Sequence, residues 1–343
     1  MFSSALPKKS ELPFYPSSQD ILYPLRLEPV FKRAIWGGRK IETLLGKPLP
    51  PGDDFAESWE VTDHRLGVNS ILFGRFAGES LHFLVENYPE QLLGIHKDFK
   101  RFPLLMKILD ANHQLSVQVH PDDELAQSLQ LSDGGKDEAW VILESDPSSY
   151  IFTGFRFPVT EKIIRQAIEE GALETLLFRF HPEVGQSLYL PAGTVHSLGA
   201  GVVVAEIQQS SDHTFRLYDW NRVDVNGKSR QLHIEEGIRA LFWEQGKILP
   251  RPHIQLGKSA NETLAACDKF IVNRYHFVEP ILAGGNCRAH IIFVIKGQLD
   301  VENDPAGIPL RCGHTVVLPA AVGAVKLSPR GEQPVVVLDY YVP

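Results

Sequence analysis

Four residues in the first two-thirds of the chain carry side chains able to hold a metal ion. They are Gln118 and His120 in SVQVHPDD, Glu138 in GGKDEAW, and His196 in PAGTVH. Two imidazoles, a carboxylate and an amide oxygen suit Zn2+, and the same set accepts Fe2+, Mn2+ or Co2+. Singly, each has an ordinary structural explanation: a hydrogen-bonded strand histidine, a turn end, a solvated glutamate beside Lys136 and Asp137. Their order says more: Q-x-H, then E, then G-x5-P-x-G-x2-H beginning at Gly185. SVQVH also alternates, so Ser116, Gln118 and His120 share one strand face and Val117 and Val119 the other. Pro121 cannot extend an interior ladder and Asp122 favours a turn or helix cap. The polar face therefore stops at a strand terminus, where sites usually sit.

No single segment surrounds an ion on three sides, so separate strands must deliver these ligands. From Leu25 to Phe76 the chain reads as short strands and turns, with SWEVTDH (residues 58–64) a strand candidate. PLLMKILD, AWVILE, SLYLP, VVVAEIQ and FRLYDW have strand length and composition. Helices are expected across ESLHFLVENYPEQLLG, DDELAQSLQ (with Asp122 near its cap), VTEKIIRQAIEEGALETLLFRF (one or two, broken at Gly171) and LHIEEGIRALF. Pro250 to Pro252 read as a linker, followed by strands in KFIVNRYHFV, RAHIIFVIKGQLDVE, HTVVLPA and PVVVLDYYV. Many short strands with few helical insertions indicate a mainly β chain, a barrel or sandwich.

An internal repeat sharpens this. GQSLYLPAGTVH begins at Gly185 and GHTVVLPAAVGA at Gly313; each is a glycine turn, a strand and a Pro-Ala exit. The spacing suggests two related barrels in tandem. The first copy ends on His196, whereas the second has Ala324 there. The expected organisation is a polar arm over 1–20, a metal-binding unit with helical insertions over 21–249, and a second barrel without metal ligands over 250–343.

Bulk properties narrow the partners. The 343 residues have a formal net charge of −8 and no long basic run, which argues against nucleic acid and anionic membranes. No window has the roughly 18 apolar residues of a membrane span, and the N-terminus has no signal-peptide core. Three cysteines, Cys267, Cys287 and Cys312, fit reduced thiols in a cytoplasmic protein.

SVQVHPDD, GKDEAWVIL, PAGTVHSLG and AEIQQSSDHTFRLYDW together resemble the type I mannose-6-phosphate isomerases, a metal-dependent family of the cupin fold. AIWGG at Ala34–Gly38 and SWEV at Ser58–Val61 extend the resemblance over roughly residues 24–245; the C-terminal barrel matches loosely. The resemblance implies tandem cupin-type (jelly-roll) barrels, one Zn2+ per chain at Gln118, His120, Glu138 and His196, and a catalytic arginine at Arg216. It also implies a phosphosugar substrate, mannose 6-phosphate, interconverted with fructose 6-phosphate through an enediol.

That chemistry moves a proton between C1 and C2 while negative charge develops on their oxygens. A guanidinium such as Arg216 stabilises such charge but is an improbable base. The proton carrier is left open among a metal-bound water, Glu206 and Asp212. Lys136, two residues before Glu138, is expected to share its face, beside the metal, and is the first choice for the substrate phosphate. Ser116 adds a hydroxyl on the Gln118 face. Two other functions use a similar frame: a non-catalytic sugar-binding bicupin, and a metal-dependent cupin oxygenase, which usually draws on His-x-His and a third histidine. A cupin regulator would need a DNA-binding module, and no basic helix-turn-helix pattern is visible.

Overall fold

A computed structural model describes residues 22–223, 227–253 and 259–343. The expected polar arm lies outside the described residues. The first part of the chain runs β1 (Val30–Gly38), α1 (Lys40–Leu45), β2 (Phe55–Val61), the ribbon β3 (Asp63–His64) and β4 (Gly67–Val68), α2 (Leu81–Asn87) and α3 (Pro89–Leu93). It continues with β5 (Leu104–Ala111), β6 (Val117–Val119), α4 (Asp123–Ser128), β7 (Glu138–Ser145), β8 (Ile151–Phe155), α5 (Glu161–Glu169) and β9 (Leu177–Phe180). β10 (Ser187–Leu190), β11 (His196–Leu198), β12 (Val202–Gln209), β13 (Phe215–Tyr218) and α6 (Ile234–Ala240) complete it.

These strands form two antiparallel sheets, ordered β1-β2-β5-β12-β7-β10 and β13-β6-β11-β8-β9. The remainder is β14 (Ala260–Ala266), β15 (Ile271–Phe277), β16 (Ile281–Gly284), β17 (His290–Lys296), β18 (Gln298–Val301), β19 (Leu310–Arg311), β20 (Thr315–Leu318), β21 (Ala324–Pro329) and β22 (Val335–Tyr341). Its two sheets are ordered β14-β15-β22-β17-β20 and β16-β21-β18-β19. The orders correspond strand for strand: β2-β5-β12-β7-β10 matches β14-β15-β22-β17-β20, and β6-β11-β8-β9 matches β16-β21-β18-β19. The tandem barrels expected from the Gly185 and Gly313 repeat are present, and the molecule is mainly β.

Alternation explains why the central strands read as unbroken apolar runs. In β7, Trp140 and Ile142 enter the first barrel's interior with Leu109, Leu188 and Val204. Ala139 and Val141 face outward, with Met106, Ile108, Ala205 and Ile207, onto Val272, Ile291, Phe293, Leu338 and Tyr340 of the second barrel. Ile292, Val294, Val335 and Val337 fill the second interior. The barrels thus share a sheet-on-sheet seam, and both faces of the seam strands are buried. Residues ahead of β1 join the second barrel too, through the Leu25–Val317 bridge.

The helices depart from expectation in ways the chain explains. The expected single helix over residues 79–94 is two, because Pro89 opens a second at its first turn. In the segment from Val159, α5 begins at its Thr160 cap and ends before Gly171, and LFRF then forms β9. Asp122 caps α4, its Oδ1 accepting from the Leu125 amide at 2.7 Å. β8 and β14 were not expected, since neither IFTGF nor ANETLAA carries a clear period. No helix among the described residues is long and apolar enough to cross a membrane.

Candidate active site

Register brings the sequence-selected residues together. His196 of β11 pairs with Gln118 of β6, and Arg216 of β13 pairs with Gln118 on the opposite side. Glu206 of β12 stands between Lys107 and Trp140, and Gln208 opposes Glu138. Cross-strand pairs project to one face, so these side chains converge at one end of the first barrel.

His120, Glu138 and His196 are buried, and their potential ligand atoms lie within 4.8 Å of one another. Each histidine uses its Nδ1 to donate to a backbone carbonyl, His120 to His213 at 2.8 Å and His196 to Thr194 at 3.0 Å. Those bonds fix the tautomer and turn both Nε2 atoms toward Glu138, at 3.4 Å from Oε2 and 3.1 Å from Oε1. Neither Glu138 oxygen has a hydrogen-bond partner of adequate geometry. Lys136 Nζ lies 2.9 Å from Oε2 as an ion pair, and 3.1 Å from His120 Nε2. Burial, then the Lys136 charge, push the His120 pKa down to about 4, and burial lowers that of His196 against the pull of Glu138. Burial also works to raise the Glu138 carboxyl, but Lys136, His120 and His196 outweigh it and hold it well below the usual range. Neutral imidazoles and a carboxylate with unsatisfied oxygens converging on one point form a donor set that fits a divalent cation. Gln118 stands at its edge. Its amide nitrogen is 3.2 Å from His196 Nε2, and its oxygen accepts from Ser116 at 3.3 Å.

Beside this cluster opens a cavity of about 280 Å3. Ser116, Gln118, Lys136, Glu206, Asp212 and Arg216 line it, so every site residue chosen from the sequence is either a wall of the cavity or part of the His-Glu-His cluster. Glu206 is buried, with Oε2 accepting from the Trp140 indole at 2.9 Å and Oε1 unpartnered. Burial, then the nearby Glu138 charge, push its pKa up to about 7. Asp212 is exposed at the rim. Arg216 is half-buried; Nη1 donates to the Gln231 carbonyl at 2.9 Å and Nε has no partner. Burial and the Arg230 charge lower its pKa. The structural ion pair that could have occupied Arg216 belongs to others, because Asp219 is held by Arg222 and Arg230. Arg216 and Arg230 both line the cavity, so this wall presents two guanidiniums.

Lys136 sits beside the ligands, as the sequence suggested, but not as part of a strand. It precedes β7, which begins at Glu138, so the two-residue strand step does not apply. Its Nζ instead folds onto the ligands, 3.8 Å from Glu206. Sequence reasoning missed Lys107, Glu57, Trp36 and Arg230, all in the cavity wall. Lys107 was detectable, being a lone cation in a strand of eight buried residues. Burial opposes its charge, but Glu57 and Glu206, at 3.5 and 3.6 Å, outweigh it and raise its pKa.

Residues 24–140 match the family model of the phosphomannose isomerase type I catalytic domain. The chain is 41% identical over 303 residues to the probable mannose-6-phosphate isomerase GmuF of Bacillus subtilis, covering 88% of this chain and 95% of that protein. It is 34% identical over 312 residues to the mannose-6-phosphate isomerase ManA of the same organism, covering 90% and 97%. Among solved structures, the mannose 6-phosphate isomerase from Bacillus subtilis superposes with a TM-score of 0.83 at 28% identity, over 93% of this chain and 99% of that one. A putative mannosephosphate isomerase from Archaeoglobus fulgidus shares the fold, with a TM-score of 0.74 at 18% identity over 94% and 99%.

Proposed function

The chain belongs to the type I phosphomannose isomerases, and from that premise we propose how its first barrel interconverts mannose 6-phosphate and fructose 6-phosphate. The observation that carries the reading is Glu138, a buried carboxylate whose two oxygens lack hydrogen-bond partners and face two neutral imidazoles beside the cavity.

His120, Glu138 and His196 would hold the metal, and the Gln118 amide oxygen would be a fourth donor with its amide turned half round. Zn2+ suits two nitrogens and two oxygens, one ion per chain. Bound there, the ion supplies Lewis acidity toward the sugar oxygens. Residues 21–249 form the catalytic unit in this reading, and 250–343 the second barrel. The cavity is at the small end of the usual range for ligand sites, roughly 300–1,000 Å3, which suits a monosaccharide phosphate.

Glu206 is the proton carrier we favour over rim-exposed Asp212. Its Oε1 has free lone pairs in the cavity wall, the Trp140 indole fixes the other oxygen, and a pKa of about 7 lets it take and return a proton near neutrality. Arg216, with an unpartnered Nε and no carboxylate of its own among the described residues, faces the developing enediolate charge. Lys107 and Lys136 flank Glu206 and keep the site from repelling that charge. Ser116 and Asp212 offer polar contacts to sugar hydroxyls. Lys136 lies against the ligands, so the phosphate is assigned to the arginine wall, with Arg230 as its main contact.

The test is direct. Purified protein incubated with mannose 6-phosphate should yield fructose 6-phosphate, lose that activity to a strong chelator, and regain it on adding Zn2+. No product from metal-replete protein would refute the assignment.

A further inference from the structure

Lys136 sits on a segment, residues 129–137, that belongs to no sheet, and Glu138 is the first residue of β7. Their aim therefore depends on what holds residues 135–137. Asp123 Oδ1 accepts from the Gly135 amide at 2.8 Å and from Gln209 Nε2 at 3.1 Å, while Gln209 Oε1 accepts from the Asp137 amide at 3.0 Å. Asp137 Oδ1 in turn accepts from the Tyr189 hydroxyl at 2.8 Å. The approach is close enough to require glycine, since a Cβ at Gly135 would meet the Asp123 amide nitrogen at 2.5 Å.

Both ties are backed by one turn of the second barrel. The connection between β14 and β15 closes through a Cys267–Phe270 backbone bond. It sets Lys269 Nζ 2.9 Å from Asp123 Oδ2 and places buried Phe270 edge-on to the Tyr189 ring at 6.1 Å. Asp123, Gly135, Gln209 and Lys269 all border a cavity of about 700 Å3.

We propose that the β14–β15 turn is a positioning element for the isomerase site: Lys269 and Phe270 steady Asp123 and Tyr189, which hold the segment that aims Lys136 and Glu138. The inference rests on the roles given above to those two residues. It assigns the second barrel, which has no such ligand set among the described residues, a task in catalysis, performed through the first barrel's backbone.

Lys269 is partly exposed and not a core residue, so Lys269→Ala should fold. In the metal-loaded full chain, amide exchange at residues 135–137 should accelerate while the seam strands stay protected. Metal affinity, read by competition with a chromogenic chelator, should weaken roughly threefold to fivefold, on the scale of a modest ion pair acting on an outer-shell contact. kcat should fall by a similar factor with KM nearly unchanged. Lys269→Arg should restore all three, and Tyr189→Phe, which removes only the hydroxyl on Asp137, should reproduce part of the loss. Unchanged exchange in Lys269→Ala overturns the proposal, as does faster exchange with unaltered metal affinity and kcat. A wild type that neither binds metal nor turns over mannose 6-phosphate instead sinks the reading of the site, and the positioning role with it.

Discussion

The two barrels hang different chemistry on the same strand frame. Leu190 opposes Glu138 in the first, and Leu318, its counterpart in the repeat, opposes His290 in the second. By the same registers Glu206 corresponds to Asp339, opposite Trp140 and Ile292 respectively. The Gln118–His196 pair corresponds to Gly284–Ala324, which makes Asn286 the counterpart of His120. The second barrel has thus lost two donors outright. The remaining two, with the Glu206 counterpart, satisfy one another: His290 bonds Asp339 through Nδ1 at 2.7 Å and Asn286 through Nε2 at 2.8 Å. In the first barrel both histidines spend their Nδ1 protons on backbone carbonyls, and Glu138 has the Lys136 ion pair but no hydrogen bond of adequate geometry. A closed set of donors and acceptors stabilises a core. An open set, in equal burial, waits for a cation.

Breaking each set should have opposite consequences. Glu138→Gln removes the charge the ion needs, and turnover should drop at least about 10³-fold with little loss of fold. His290→Ala should leave turnover within about twofold but lower Tm by several degrees, because Asp339 is left buried without its partner, at a cost of about 2 kcal/mol. Steady-state kinetics beside thermal melts of the two variants decides this; a large kinetic defect in His290→Ala would erase the distinction.

Arg216 sharpens the contrast, since β13 has no counterpart in the second barrel among the described residues. Arg216→Lys keeps the charge without the planar fork, and kcat should fall roughly 10²-fold with metal content and Tm unchanged. Wild-type turnover there would return Arg216 to a structural role. A smaller effect is expected at the arginine wall. Arg230→Met should raise KM for mannose 6-phosphate about tenfold while leaving the rate with unphosphorylated mannose unaffected. Equal losses with both sugars would place the phosphate elsewhere.

The smallest effect is in pH dependence. Glu206 must be ionised to accept a proton, and its pKa is raised to about 7, so the active fraction shrinks as pH falls through that value. A cation held by Glu138 offsets part of that shift, so kcat/KM should fall roughly tenfold per unit on an acid limb that begins at or below about pH 7. Glu206→Gln should abolish that limb along with most of the rate, whereas Asp339→Asn should keep it. An unaltered acid limb in Glu206→Gln would exclude Glu206 as the base.

What was legible in the sequence follows from how far each signal reaches. SVQVH showed its polar face because strand alternation is local, and the Gly185 and Gly313 repeat showed the tandem barrels because spacing survives where identity does not. Glu206 and Arg216 could be picked from one motif-rich segment, AEIQQSSDHTFRLYDW. Arg230 could not, because only the tertiary arrangement brings it to the cavity beside Asp219 and Arg216. Lys136 was placed beside the ligands for the wrong reason: a two-residue step implies a shared face only inside a strand, and the strand starts at Glu138. The role of the β14–β15 turn was invisible, since Lys269 and Asp123 are far apart in sequence and each looks like an ordinary surface charge.

Metal content of matched variants tests the comparison most directly. Elemental analysis of purified wild type should find about one transition-metal ion per chain, His120→Ala and His196→Ala should each lose most of it, and His290→Ala should keep it. Full occupancy in the two first-barrel variants, or loss of the ion from His290→Ala, would contradict the account.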